Sequence, residues 1–190
     1  ASGRRQRSGM ALPFFTIGHS TRTIPEFVEL LRVAGVETVA DIRTVPRSRT
    51  NPQYNKDELA QNLAPYQIGY EHIPELGGLR GKARDVPDAT NGFWINTSFH
   101  NYADYALGER FQAGLETLVA LGRRKRTAMM CSESVWWCCH RRIVADYLLC
   151  AGETVFHLMG DDRIEPATLT PAARCESPCR VVYPADPMQE

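Results

Sequence analysis

FFTIGHSTRTIPEFVELLRVAGVETVADI, from Phe14 to Ile42, reads as one strand–helix–strand unit, and the fold class follows from it. Phe14–Gly18 is a short apolar run closed by glycine, the pattern of a buried strand. Thr23 and Glu26 make a T-x-x-E capping box, in which the Thr hydroxyl and the Glu side chain satisfy N–H groups at a helix start. Phe27, Leu30, Leu31 and Ala34 then recur at helical spacing, and Gly35 supplies the stop. Glu37–Ile42 (ETVADI) is the second strand.

The same alternation continues outward. Asn55 is placed to cap a short helix carrying Leu59 and Leu63, and Gly69–Ile73 (GYEHI) forms a third, less apolar strand. Phe99–Gly122 reads as one long amphipathic helix, closed by the basic run Arg123–Arg126 at the negative end of its dipole. Thr127–Cys131 (TAMMC) is the fourth strand, Cys139–Ala151 a helix stopped by Gly152, and Thr154–Met159 the fifth strand. The strand–helix repetition predicts an α/β fold: a mostly parallel five-stranded sheet with helices on both faces. A single domain is expected over 14–165. Residues 1–13, with Arg4, Arg5 and Arg7, read as a leader or disordered arm. Residues 166–190, with five prolines, read as a tail packed on the surface or partly disordered.

Composition narrows the function classes. The chain has 190 residues, 43% apolar and 23% charged, ordinary values for a globular domain. No apolar run approaches the ~20 residues that span a bilayer, so no membrane partner is expected. Without Arg4, Arg5 and Arg7 the basic count falls from 22 to 19 against 22 acidic residues, which removes a global electrostatic case for nucleic-acid binding. No secretory signal precedes the first strand, so a cytoplasmic location is expected, with Cys131, Cys138, Cys139, Cys150, Cys175 and Cys179 reduced.

Ligands of open parallel sheets bind outside the carboxyl ends of the strands. The residues just past each predicted strand are therefore candidates. They are His19 and Ser20 after the first strand, and Asp41, Arg43, Arg47 and Ser48 around and after the second. His72, Gly77 and Gly78 follow the third; Cys131, Glu133, Cys139, His140 and Arg141 follow the fourth. In this set Cys131 or Cys139 is the candidate nucleophile, Glu133 or His140 the proton carrier, and Arg43 and Arg141 the holders of an anionic substrate. Each has a blander reading: a small buried cysteine, a first-turn acid favouring the helix dipole, satisfied core histidines, solvated arginines. Several sharper motifs fail. A phosphatase loop needs Arg six places after Cys, but Cys131, Cys138 and Cys139 meet Trp137, Val144 and Ala145 there. No C-x-x-C occurs, and Gly77–Gly78 is no dinucleotide fingerprint, so no cofactor is expected. A zinc site joining Cys138, Cys139 or His140 to Cys175 and Cys179 is a weak alternative, and no metal is assigned.

Four segments in order, T-I-G-H-S (Thr16–Ser20), D-I-R-T-V-P-R-S (Asp41–Ser48), Y-E-H-I-P-E-L-G-G (Tyr70–Gly78) and C-S-E-x5-C-H-R (Cys131–Arg141), resemble the domain-of-unknown-function 488 family of bacterial and archaeal α/β proteins. The resemblance implies a compact α/β domain, a link to DNA repair, and a shared motif on His19, Ser20, Asp41, Arg43, Ser48, His72, Gly77, Gly78, Cys131, Glu133, Cys139, His140 and Arg141, to which it adds Pro46 as a substrate-binding candidate. Cys138 and the pair Trp136–Trp137 are additions of this sequence, suited to packing the loop or stacking on a flat ligand. Two functions compete. One is a thiol-dependent enzyme acting on a small anionic, phosphate- or nucleotide-like substrate. The other is a nucleic-acid-binding module, with Arg43, Arg47, Arg49, Arg80, Lys82 and Arg84 on phosphates and Trp94, Trp136 and Trp137 stacked on bases. A non-catalytic ligand- or metal-binding domain ranks third.

Overall fold

The computed structural model describes residues 11–186, so most of the expected leader lies outside the described residues. Strands β1 (Phe14–Gly18), β2 (Thr38–Asp41), β3 (Gly69–His72), β4 (Thr127–Cys131), β5 (Val155–Gly160) and β6 (Arg163–Pro166) form one sheet in the order β3-β2-β4-β1-β5-β6. The first five are parallel, as the sequence predicts. The sixth is an addition: the turn at Asp161 and Asp162, both at positive φ, folds β6 back antiparallel onto β5.

Alternation along β1 assigns the two faces. Phe14 packs in one core with residues of α4 (Glu109–Arg124) and α5 (Arg141–Cys150), among them Leu118, Val144 and Leu148. Its neighbour Phe15 packs in a second core with Phe27 and Leu31 of α1 (Ile24–Val33) and with Leu59 and Leu63 of α2 (Lys56–Leu63). The capping box is half-formed: the Thr23 hydroxyl accepts from the Glu26 N–H. Asn55 precedes α2 but caps nothing, because its Oδ1 accepts from the Ser48 N–H at 2.7 Å.

Two expectations are corrected. The single long helix is two, α3 (Thr97–Tyr105) and α4, broken where Gly108 takes extended backbone ahead of Glu109. The break lets α3 turn over the 74–78 loop, where the Tyr102 and Tyr105 hydroxyls donate to the Leu76 and Glu75 carbonyls. The Pro-rich tail is not a surface appendage. It forms a hairpin, β7 (Arg174–Ser177) with β8 (Arg180–Val182), and buries Val181 and Tyr183 in the α4/α5 core. The Tyr183 hydroxyl donates to Asp146 of α5 at 2.8 Å.

The hairpin also overturns the expectation that all thiols are reduced. It brings Cys175 within 5.6 Å (Cα–Cα) of Cys150 at the end of α5, and the two are disulfide-bonded. With Cys175 so engaged, the weak zinc arrangement loses one of its ligands. Among the described residues no group of three or more His, Cys, Asp or Glu side chains is arranged to hold a metal, and no helix is long and apolar enough to cross a membrane.

Candidate active site

β4, β1 and β2 are neighbours around β4, so their carboxyl ends share one rim. The polypeptide past each strand is tied to the next. The His19 N–H donates to the Cys131 carbonyl at 2.9 Å, and the Ile42 N–H donates to the Met130 carbonyl at 3.0 Å. The chain after β4 crosses directly over the end of β1. A Cβ on Gly18 would fall 1.6 Å from the Glu133 carbonyl oxygen, so only glycine fits there. An open cavity of about 570 Å³ sits on this rim. Of the sequence-predicted residues, His19, Arg43, Ser48, Gly78, Cys131, Glu133, Cys139 and His140 line it. Ser20, Asp41, Pro46, His72, Gly77 and Arg141 do not; they stand behind the wall or brace the loops.

The centre of the site is the buried Arg141, its guanidinium on one thiol and its backbone N–H on the other. Arg141 opens α5 and is fully buried. Its Nη1 donates to Cys131 Sγ at 3.0 Å and to the Glu133 carbonyl at 2.9 Å, and its Nη2 to the Ser134 carbonyl at 3.2 Å. Its backbone N–H points at Cys139 Sγ, 3.5 Å away. Among the described residues no carboxylate forms an ion pair with Arg141. A buried charge without a counter-charge is costly, so the adjacent sulfurs are where negative charge is stabilised. The two thiols influence each other's ionisation. Burial opposes ionisation of Cys139, but the Cys131 thiol, the Arg141 charge and the Arg141 N–H outweigh it and bring its pKa below the ordinary thiol value. Burial, together with the nearby Cys139, pushes the Cys131 thiol well up.

His140 sits against the second thiol. Its Nε2–H donates to the Ile42 carbonyl at 2.7 Å, which in the neutral ring leaves Nδ1 an acceptor, 3.4 Å from Cys139 Sγ. Burial lowers the pKa of the ring and keeps it neutral at pH 7. Gly78 makes room for it, since a Cβ there would lie 2.6 Å from Nδ1. Thr44 performs the same bracing one step away: its Oγ1 accepts from the Leu79 N–H at 2.9 Å, and Gly77 passes against it.

The opposite wall is a closed ion-pair network. Arg43 grips Asp41 with two parallel bonds, Nε to Oδ1 at 2.9 Å and Nη2 to Oδ2 at 2.7 Å, and donates to the Tyr54 carbonyl at 2.6 Å. The Tyr70 hydroxyl closes the other side of Asp41. His72 donates from Nε2 to the Arg43 carbonyl at 2.8 Å, so it braces the turn rather than entering the cavity. His19 gives its Nδ1–H to the Ser20 carbonyl at 2.8 Å and turns Nε2 toward Arg43 Nη1 at 3.4 Å. Its ring stacks on Tyr54 with centroids 4.2 Å apart. Burial, with Arg43 adding to it, lowers the His19 pKa to about 4.

This geometry corrects two expected roles. Arg43 does not offer an open fork to a substrate, because its Nε and Nη2 are committed to Asp41 and the Tyr54 carbonyl, and Arg141 gives both Nη atoms to Cys131 and loop carbonyls, leaving its buried Nε without a partner. Glu133 is exposed at the mouth, and its carbonyl rather than its carboxylate is engaged. Tyr54 and Tyr70 hold the site together, yet no predicted role fell on them. Tyr70 lies inside the Y-E-H-I segment and was the legible one of the two.

Of the residues expected on a nucleic-acid surface, Arg47, Arg49, Lys82 and Arg84 are exposed, while two of the three tryptophans are occupied within the fold. Trp94 is buried and stacked on Phe99, and Trp136 is stacked face to face on His157 at 4.5 Å. Arg80 donates to the Gly77 and Pro74 carbonyls and covers the Tyr105 ring. Trp137 alone of the three tryptophans is exposed, at 47%.

The family model described as "Domain of unknown function DUF488" matches residues 23–148, more than half of the chain. The chain belongs to this family. The DUF488 match takes in α1 through most of α5, and so Asp41, Arg43, Cys131, Cys139, His140 and Arg141, while His19, just past β1, lies before it. No curated protein and no solved structure matches the chain.

Proposed function

We propose that the rim cavity is the active site of a thiol-dependent enzyme acting on a small anionic substrate. Cys139 is the nucleophile, and His140 takes the thiol proton at Nδ1 while the Ile42 carbonyl holds the ring in the required tautomer. Arg141 stabilises the thiolate from within the wall. Arg47, exposed on the cavity lip, is the cation placed to meet an anionic group of the substrate, and the neutral His19 offers Nε2 as a polar contact. The observation that carries this reading is the fully buried Arg141 set between two sulfurs without a carboxylate partner.

The test is alkylation by iodoacetamide followed from pH 5 to 10, with the modified residue located by peptide mass mapping. A fast phase at Cys139 with a midpoint below the ordinary thiol value is expected. If no buried thiol reacts faster than the exposed Cys138 and Cys179 at pH 7, the cavity is not a thiol site.

A further inference from the structure

A nucleophilic cysteine in acyl or phosphoryl transfer works alone. A second thiol in contact with it is a hazard, because it collapses any mixed disulfide the first one forms. Here two free thiols are both bonded to Arg141, Cys131 by the guanidinium and Cys139 by the backbone N–H, influence each other's ionisation and open on the same cavity. Cys131 ends a strand and Cys139 sits just before α5. The seven residues between them are irregular apart from a short turn at Trp136–Cys138, so the two backbones are joined by a segment able to yield as the sulfurs close.

We propose that Cys131 and Cys139 are a two-electron dithiol couple whose substrate is a small disulfide bearing an anionic group. The inference rests on the thiol-dependent reading above and names its chemistry. The Cys139 thiolate attacks one sulfur of the substrate R–S–S–R, forming Cys139–S–S–R and releasing RS⁻. The Cys131 proton passes to that leaving thiolate. The Cys131 sulfur then attacks Cys139 Sγ, forms the internal disulfide and releases the second RS⁻. In balance, one thiol, one thiolate and one disulfide become an internal disulfide, one RSH and one RS⁻. The protein is oxidised by two electrons and the substrate reduced by two, and an external dithiol restores the resting state.

The asymmetry of the pair sets the order of the two steps. Cys139 carries the Arg141 N–H and the His140 Nδ1 and attacks first. Cys131, held by Arg141 Nη1, becomes the resolving thiol. The mouth suits such a substrate: Val45, Leu79 and Phe99 give an apolar wall, and Arg47 a charge for its acid group.

The experiment uses the full chain with the exposed thiols removed (Cys138→Ser, Cys179→Ser), leaving the Cys150–Cys175 disulfide in place. The probe is 5,5′-dithiobis(2-nitrobenzoate), a small anionic disulfide, at one equivalent. Two thionitrobenzoate ions per protein, no retained adduct and a Cys131–Cys139 cross-link in the peptide map are expected. Adding Cys131→Ser should halve the release and leave the adduct on Cys139. A fast adduct that persists on Cys139 of the parent protein overturns the couple while leaving the thiol-dependent site intact. Absence of any fast reaction removes both. Because the parent protein keeps every buried residue, the outcome does not depend on a core variant folding.

Discussion

Replacing Arg141 by Met removes the one charge that makes a thiolate affordable in this wall, and the size of the effect follows from the geometry. Two unit charges in contact, 3–4 Å apart, interact by about 4–5 kcal/mol at an effective dielectric near 20, or roughly 3 pKa units, and this is a ceiling here, because the guanidinium is bonded to Cys131 while Cys139 is bonded to the Arg141 backbone N–H that methionine keeps. Water entering the vacated space reduces this, so a rise of about 1–3 units in the Cys139 midpoint is expected. At pH 7 that is a roughly 10- to 1000-fold slower alkylation by iodoacetamide, measured in the Cys138→Ser/Cys179→Ser protein. Arg141→Met also strips donors from the Glu133 and Ser134 carbonyls, so some stability is lost with it. Arg141→Lys separates the two effects. It keeps the charge and loses the fork, so its midpoint should stay within about one unit of the parent. A cooperative thermal melt establishes that each variant is folded. An unmoved midpoint in a folded Arg141→Met protein, or an equal shift in the Lys variant, would refute the charge argument.

Other perturbations test the supports. Gly78→Ala drives a methyl to 2.6 Å from His140 Nδ1; about 1–3 kcal/mol of stability and a slower Cys139 alkylation at pH 7 are expected, and an unchanged rate would detach His140 from the thiol. Asp41→Asn leaves the buried Arg43 without its counter-charge and should cost about 3–5 kcal/mol in urea unfolding, part of it recovered by adding Arg43→Met. His19 and His157 are held near pKa 4 by burial, with Arg43 adding to the shift at His19 and Arg141 at His157. Since the unfolded histidines take up protons near 6.5 and the folded ones do not, stability should fall as pH drops from about 6.5 to 4. His157→Phe, which keeps the ring on Trp136, should flatten that slope in urea titrations. Breaking the Cys150–Cys175 bond with Cys150→Ser frees a 25-residue separation and should lower stability by about 3.5 kcal/mol.

The strands and their rim were legible because they are written locally. Phe14–Gly18 and Thr127–Cys131 are continuous apolar runs with polar residues immediately beyond, and the parallel-sheet rule converts sequence order into a shared edge. What was not legible depends on contacts between distant positions. Tyr54 meets His19 and Arg43 only after the 44–55 loop folds back, and nothing in N-P-Q-Y-N announces it. The helix break at Gly108 was hidden because Tyr102, Tyr105 and Phe111 keep an apolar face across it. The tail was hard to read because prolines argue against a helix and a central strand but leave room for a short hairpin between them: Val181 of β8 and Tyr183 just beyond it pack in the α4/α5 core between Pro178 and Pro184. Cys175 reaches Cys150 by that same hairpin, and a compartment argument about thiols carries no information on it.

The two arginines illustrate why residue type alone misassigned the anion site. Both are buried, Arg43 just past β2 and Arg141 at the start of α5, and both looked suited to grip a substrate. Arg43 is bound bidentately by Asp41, so its charge is cancelled within the wall and the pair acts as a brace for the 41–54 segment. Arg141 has only dipoles and sulfurs around it, so its charge is felt by Cys131 and Cys139. The consequence is a difference in kind. Loss of Asp41 or Arg43 should appear first in unfolding free energy, with thiol reactivity following only as the fold is lost. Loss of Arg141 should appear first in the pH dependence of thiol reactivity, in protein that still melts cooperatively. A site in which both substitutions moved stability and reactivity together would have one undivided network, and the assignment of charge to the sulfurs would then have no basis.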